Sequence, residues 1–320
     1  MGIISNCTES DIKNAAASLI EGNLVAFPTE TVYGLGADAT NEDAVRRVYD
    51  VKGRPIGHPL IVHISTLVNL DKWARNIPEY ALNLARAFWP GPMTLILPRT
   101  DLAKNFITGG QDNVGIRIPS HTVALALLKE FEDQGGLGVA APSANRFGAV
   151  SPTTANAVNS ELGCNLNNSD YILDGGNCQV GVESTIVDCI QQMPVILRPG
   201  IISREQIEST LDMHIGLVNS NHDTKVSGLF RSHYAPNAKV FLSDSPKPGD
   251  GLIALISFPT PKGVIRLAEP RNNEEYAQIL YRALRLADEK GVKNVFAIPP
   301  TGEGAAVAIN DRLIKASFHE

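Results

Sequence analysis

Cysteine is scarce in this 320-residue chain, and the four present are scattered. Cys7, Cys164, Cys178 and Cys189 form no C-x-x-C pair, which argues against a disulfide framework and against a zinc site. No apolar run is long enough to span a bilayer. The first residues, MGIISNCTESDIK, lack the basic start and long apolar core of a secretory signal. Met1-Gly2 is followed by Asn6 where a myristoylation signal has Ser or Thr. These absences predict a cytoplasmic protein with reduced thiols and no membrane association. Excess positive charge is missing as well. A net charge of −6 and a pI of about 5.7 argue against a broad electrostatic grip on nucleic acid, although a local basic groove stays compatible with them. No internal repeat or low-complexity segment is visible. The length suits two domains or one large one, and 43% hydrophobic with 19% charged residues is the balance of a soluble globular protein.

What is present centres on residues 24–64. The apolar run Leu24-Val25-Ala26-Phe27 stops at Pro28. A hydroxyl- and glycine-rich turn follows, Thr29-Glu30-Thr31-Val32-Tyr33-Gly34-Leu35-Gly36. A short helix leads to Lys52-Gly53-Arg54-Pro55, and Leu60-Ile61-Val62-His63-Ile64 returns to the core. Two cations one residue apart, in a Gly/Pro loop between buried strands, suggest an anion site. Arg offers a planar fork for phosphate and Lys a compact charge. A K-x-R tripeptide alone is more often a solvated surface loop. Its fixed place among apolar strands shifts the balance toward a site.

Further elements follow from periodicity and caps. Residues 8–22 predict a helix capped by Thr8 or Ser10, and residues after Thr40 or Asn41 predict another. A helix is expected over 78–89, a strand over 93–97, a strand over 114–118 and a helix over 122–131. In the 114–118 strand, Gly115 and Arg117 share the face opposite Val114, Ile116 and Ile118, leaving room for a ligand beside the backbone. An exposed Arg paired with a carboxylate is the plainer alternative. The buried strand 137–142 runs into Ser143-Ala144-Asn145, which offers a hydroxyl and an amide to a pocket floor or simply forms an Asx turn. Strands are expected at 171–174, 183–190 and 194–197, and Ser203-x-x-Gln206 reads as a capping box.

Near residue 216 the composition turns polar, and 219–225 reads as a linker. A second α/β unit is expected from Lys239, with strands at 252–257 and 293–298 and helices at 274–290 and 305–316. Thr301-Gly302-Glu303-Gly304 lacks a P-loop Lys and reads as the start of a helix. The division is 1–215, a linker or lid over 216–237, and 238–320.

Six motifs in order carry a resemblance over nearly the whole chain. They are Pro28-Thr29-Glu30-Thr31-Val32-Tyr33-Gly34-Leu35, Lys52-Gly53-Arg54-Pro55, Pro59-Leu60-Ile61-Val62-His63, Ala141-Pro142-Ser143-Ala144-Asn145, Glu183-Ser184-Thr185 and Leu197-Arg198-Pro199-Gly200. With His233-Tyr234-Ala235-Pro236 they resemble the YrdC family, in particular its two-domain members, the threonylcarbamoyl-AMP synthases. The resemblance implies an α/β fold: a YrdC-like twisted open sheet with helices, plus a smaller C-terminal Rossmann-like α/β domain. It implies a nucleotidyltransferase that joins L-threonine, bicarbonate and ATP into threonylcarbamoyl-AMP with release of pyrophosphate, for modification of tRNA. The implied cofactor is Mg2+ carried by the ATP phosphates, with no metal held by protein side chains. The implied partners are the downstream tRNA threonylcarbamoyl-transferase machinery, and a weak RNA contact stays open.

By the same resemblance, Lys52, Arg54, Ser143 and Asn145 carry catalysis. ATP falls to Lys52, Arg54, His58, Asn113, Ser143, Ser151, Arg198 and Tyr234. L-Threonine falls to Thr31, His63, Arg117, Ala141 and Ser184, with Arg117 on its carboxylate and the Ala141 carbonyl near its amine. Three positions depart from the family pattern. His58 stands where Asn is commoner, Asn113 where Thr is commoner, and Ser227-Gly228-Leu229 where Pro-Gly-Met is usual. None removes a charge the chemistry needs. The alternatives are a carbamoyl-transferring maturation enzyme, which needs C-x-x-C motifs this chain lacks, and a non-catalytic RNA- or nucleotide-binding module.

Overall fold

The computed structural model describes residues 3–215, 224–226 and 234–318. The chain begins with β1 (Ile3–Ser5), an edge strand that the sequence pattern does not announce. Helix α1 (Glu9–Ile20) starts at a reciprocal capping box. Thr8 accepts from the Asp11 N–H, and the Asp11 carboxylate accepts from the Thr8 N–H. β2 (Val25–Phe27) pairs antiparallel with β3 (Gly34–Asp38). The turn expected over 29–36 therefore ends at Tyr33, and its glycines belong to a strand. Glycine lowers strand propensity, which hides β3. Gly36 is nevertheless required there, because a Cβ would stand 2.7 Å from Val139 Cγ1 and 2.9 Å from Phe27 Cε1.

Helix α2 (Glu42–Lys52) is capped by the Asn41 side chain and closed by Gly53 in the left-handed region. There follow β4 (Ile61–His63), α3 (Leu70–Trp73), α4 (Glu79–Phe88), β5 (Met93–Pro98), α5 (Asn105–Thr108), β6 (Asn113–Arg117) and α6 (Thr122–Asp133). Then come β7 (Val139–Ala140), α7 (Ala155–Leu162), β8 (Tyr171–Leu173), β9 (Thr185–Asp188), β10 (Val195–Arg198) and α8 (Arg204–Leu211). Their strands form one ten-stranded mixed sheet, ordered β1-β8-β2-β3-β7-β4-β6-β5-β9-β10. Alternate side chains of β2 go to opposite faces. Val25 and Phe27 join Leu19, Leu127 and Phe131 of α1 and α6, while Ala26 joins the core formed with α2, α3 and α4. Burial of both faces explains why these strands read as continuous apolar runs.

The second sheet has β11 (Lys239–Phe241), β12 (Gly251–Ile253), β13 (Ile265–Ala268) and β14 (Asn294–Ala297), all parallel, in the order β11-β14-β12-β13. Helices α9 (Asn273–Glu289) and α10 (Ala305–Ser317) cover it. The fold is thus the expected one, a large open sheet and a smaller parallel α/β unit. The strand expected over 252–257 is shorter, and β13 goes unforeseen because Arg266 interrupts its apolar pattern. That guanidinium donates to the Ala254 and Leu255 carbonyls, both at 2.8 Å.

The two parts are packed together at the loops. Val32, Val150 and Val182 join the core of the smaller unit, and a Cβ on Gly181 would stand 2.4 Å from Gln278 Cα. The polar stretch 219–223 and the packable linker residues Leu229, Phe230 and His233 lie outside the described residues. Among the described residues, no helix is long and apolar enough to cross a membrane.

Candidate active site

All five residues assigned to the amino-acid substrate meet in one cleft. Thr31, His63, Arg117, Ala141 and Ser184 line it together with Arg54, Ser143, Glu183, Arg198 and Tyr234. Sheet register brings them together: β4 and β6 run parallel with His63 opposite Arg117, and β7 delivers the chain to Ala141. Arg117 is buried, not exposed, and its guanidinium donates to three neighbours.

 Nε donates to the Gly91 carbonyl at 3.3 Å, Nη1 to Thr31 Oγ1 at 2.9 Å and Nη2 to Glu30 Oε1 at 2.7 Å. The other Glu30 oxygen accepts the Ser120 N–H at 3.0 Å, so this carboxylate is fixed from both sides. Three of the five guanidinium N–H groups are thereby used, and two are left for a ligand carboxylate. Burial, and then the Arg117 charge, hold the His63 pKa down to about 3, while the nearby Val139 and Ile61 carbonyls pull slightly upward. The imidazole is therefore neutral at physiological pH. Its Nδ1 is buried without a hydrogen-bond partner among the described residues.

The K-x-R motif divides. Arg54 lines the cleft, donates to the Pro59 carbonyl at 3.2 Å and lies 5.7 Å over the Phe147 ring. Burial lowers its pKa to about 10, so it keeps its charge. Lys52, the other cation of the expected anion site, lies behind the cleft wall. It is the last residue of α2, is 3% exposed, and its Nζ donates to the main-chain carbonyls of Ser143 and Asn145. Burial first, and the Arg54 charge second, push its pKa down. Lys52 thus ties α2 to the floor that Ser143 provides, and it is not itself among the lining residues. Asn145 is likewise behind the wall. Its Nδ2 donates to the Arg146 and Ala149 carbonyls, each at 2.8 Å, and its Oδ1 is buried with no partner among the described residues.

Arg198 and Ser184 are joined although they were assigned to different substrates. Arg198 Nε and Nη2 donate to the Ser184 carbonyl at 3.1 and 3.0 Å, and Nη2 also reaches Ser184 Oγ at 3.1 Å. Ser184 Oγ also bonds Thr94 Oγ1 at 2.8 Å. Ser151 is fully buried and donates to Glu183 Oε1 at 2.6 Å, so it supports the cleft from behind. His58 and Asn113 do not join the cleft. The His58 carbonyl accepts from Tyr49, its ring lies 5.5 Å from Phe147, and Asn113 lines a separate depression with Pro59, Lys225 and Val226. Tyr234, from the linker, is 1% exposed and lines the cleft.

The residue-type reasoning missed the acids. Glu30 and Glu183 stand inside quoted motifs, but their partners Arg117 and Arg312 are 87 and 129 positions away, beyond any local pattern. The carboxylate between two threonines in Thr29-Glu30-Thr31 was the one available signal. Among the described residues, no group of three metal-ligating side chains could hold a metal ion.

Residues 17–200 match the Sua5, YciO and YrdC family model, described as telomere recombination, and residues 202–317 match the model described as the threonylcarbamoyl-AMP synthase C-terminal domain. The threonylcarbamoyl-AMP synthase of Pyrococcus abyssi is 40% identical, with 99% of this chain and 98% of that protein covered. That of Bacillus subtilis is also 40% identical, covering 97% and 93%. The solved structure of P. abyssi Sua5 complexed with L-threonine aligns with a TM-score of 0.88 at 38% identity, over 99% of this chain and 97% of that one.

Proposed function

The chain belongs to the Sua5/YciO/YrdC family, and from that premise we propose that it is an L-threonylcarbamoyladenylate synthase. The observation that carries the reading is the cleft itself, where a carboxylate-binding corner and a second cationic wall stand side by side. Arg117 offers its two remaining donors to the threonine carboxylate, and Thr31 and Ser184 flank it. The threonine ammonium first loses a proton to solvent, and His63, neutral beside it, adds no further positive charge to the corner. The amine adds to carbon dioxide and loses a proton, giving a carbamate. A carbamate oxygen then attacks the α-phosphate of ATP, forming the mixed anhydride as pyrophosphate departs. The protein supplies position and charge. Arg54, Ser143 and Arg198 face the phosphates and Tyr234 closes the nucleotide side. Lys52 acts by holding Ser143 in place. Magnesium would be carried by the triphosphate, where it would offset phosphate charge, and no step is routed through it. The product serves the threonylcarbamoyl modification of tRNA, handed on to a transferase.

The deciding experiment measures pyrophosphate release from ATP with purified full-length protein. Release should require both L-threonine and bicarbonate. Release independent of either one overturns the reading, and nucleotide binding without release makes the chain a binding module.

A further inference from the structure

Glu183 lines the cleft, yet its carboxylate is gripped from the smaller unit. Arg312 of α10 is 0% exposed. Its Nε donates to Glu183 Oε2 at 2.7 Å and its Nη1 to the Pro199 carbonyl at 3.0 Å. Tyr281 of α9 donates its hydroxyl to the same Oε2 at 2.8 Å. The aromatic side of the contact is as specific. The Arg312 guanidinium lies 5.3 Å from the Tyr234 ring, and the Tyr281 ring stacks on Tyr234 at 5.6 Å with 27° between planes. Tyr234 holds a φ of 64°, a left-handed conformation that a tyrosine keeps only where its surroundings impose it.

We propose that Arg312 is a positioning residue of the active site, holding Glu183 and Tyr234 at the cleft so that one guanidinium sets both the nucleotide-side wall and the cover over it. The inference rests on the synthase reading and deepens it. Arg suits the task and Lys does not. A planar fork donates in its own plane to Glu183 and Pro199 while presenting its face to an aromatic ring, whereas an ammonium offers one point of charge. The effect passes on through charge. Glu183 lies within the field of both Arg312 and Arg198, and Arg198 fixes Ser184. Loosening Arg312 therefore disturbs the threonine corner as well as the cover.

The test compares the full-length wild type with Arg312→Lys and Tyr281→Phe in two readouts. The first is hydrogen exchange of a peptide spanning 234–238, without substrates. Arg312→Lys should exchange there about tenfold faster, as expected for a lost charge-assisted contact, while a peptide from β5 stays unchanged. The second is the steady-state rate of pyrophosphate release. kcat should fall about ten- to a hundredfold, with KM for ATP rising less than kcat falls, as misplaced reacting groups predict. Tyr281→Phe keeps the ring and should show the same pattern more weakly, and it stands in if Arg312→Lys fails to fold. Wild-type exchange at 234–238 in the variant that folds overturns the proposal, as does wild-type kcat. If the wild type itself releases no pyrophosphate, the synthase reading fails, and the exchange arm alone decides whether Arg312 holds Tyr234.

Discussion

Replacing Arg117 with Ala should damage stability and threonine binding by separable amounts. The guanidinium makes three hydrogen bonds, to Glu30, Thr31 and Gly91, in a site where it and Glu30 are both about 5% exposed. Removing it strands the Glu30 carboxylate out of water. Breaking a buried pair in this way costs about 3–5 kcal/mol. The thermal midpoint should fall by roughly 6–20 °C on that cost. Glu30→Gln in the same chain removes the stranded charge and still accepts from the Ser120 N–H. The double variant should therefore regain more than half of the lost stability. It should not regain threonine. Calorimetry with L-threonine should show affinity reduced by about a hundredfold in both variants, because the carboxylate partner is gone in both. A wild-type melting curve for Arg117→Ala would refute the burial argument. Intact threonine binding with lost ATP binding would show that Arg117 serves the other substrate.

Three further outcomes follow from the same geometry. Lys52→Ala should lose about 1–3 kcal/mol of stability by freeing the Ser143 and Asn145 carbonyls, and turnover should fall further as Ser143 shifts; an unchanged melting curve refutes the tie. Acid should weaken the junction of the two units through Glu183. Burial alone would raise its pKa, but Arg312, Arg198 and the bonds from Ser151 and Arg312 outweigh that and lower it from 4.5 to about 2. The folded pKa is depressed, so its stabilisation is fully present above 4.5 and is lost as pH falls toward 2, an amount on the order of 3 kcal/mol. Denaturant titrations of wild type and Glu183→Gln should converge through that window, and parallel curves contradict the assignment. Finally, a chain ending at Gly216 loses Tyr234, Tyr281 and Arg312 together, so it should bind ATP more weakly and lose product to hydrolysis faster, with Tyr234→Ala reproducing part of the defect. Equal ATP affinity and product yield would make the intervening segment a spacer.

Helices were legible wherever caps and spacing agreed. Thr8, Asn41, Pro78, and Ser203 with Gln206 all mark starts that the structure keeps. Strands failed where local chemistry argued against them, at glycine-rich β3 and at Arg266 in β13. Thr31, His63, Ala141 and Ser184 stand in the family motifs and Arg117 beside Gly115 in an alternating strand, and all five line one cleft. Of the anion site expected at Lys52-Gly53-Arg54, Arg54 lines the cleft, while Lys52 is held by the Ser143 and Asn145 carbonyls, far beyond any local pattern. Glu30, Glu183, Tyr281 and Arg312 were unreadable because each acts through a partner far along the chain.

The 129 positions between Glu183 and Arg312 also set a schedule for synthesis. At ribosomal speeds of about 5–20 residues per second, roughly 6–26 s separate the appearance of the carboxylate from that of its guanidinium. Once Arg198 is made the ten-stranded sheet has every strand it needs, while Glu183 still lacks its guanidinium partner. The nascent chain therefore passes through a stage with the walls of the cleft built and its keystone absent. A chain that stops before α10 therefore carries all ten strands of the large sheet and lacks the guanidinium that holds Glu183.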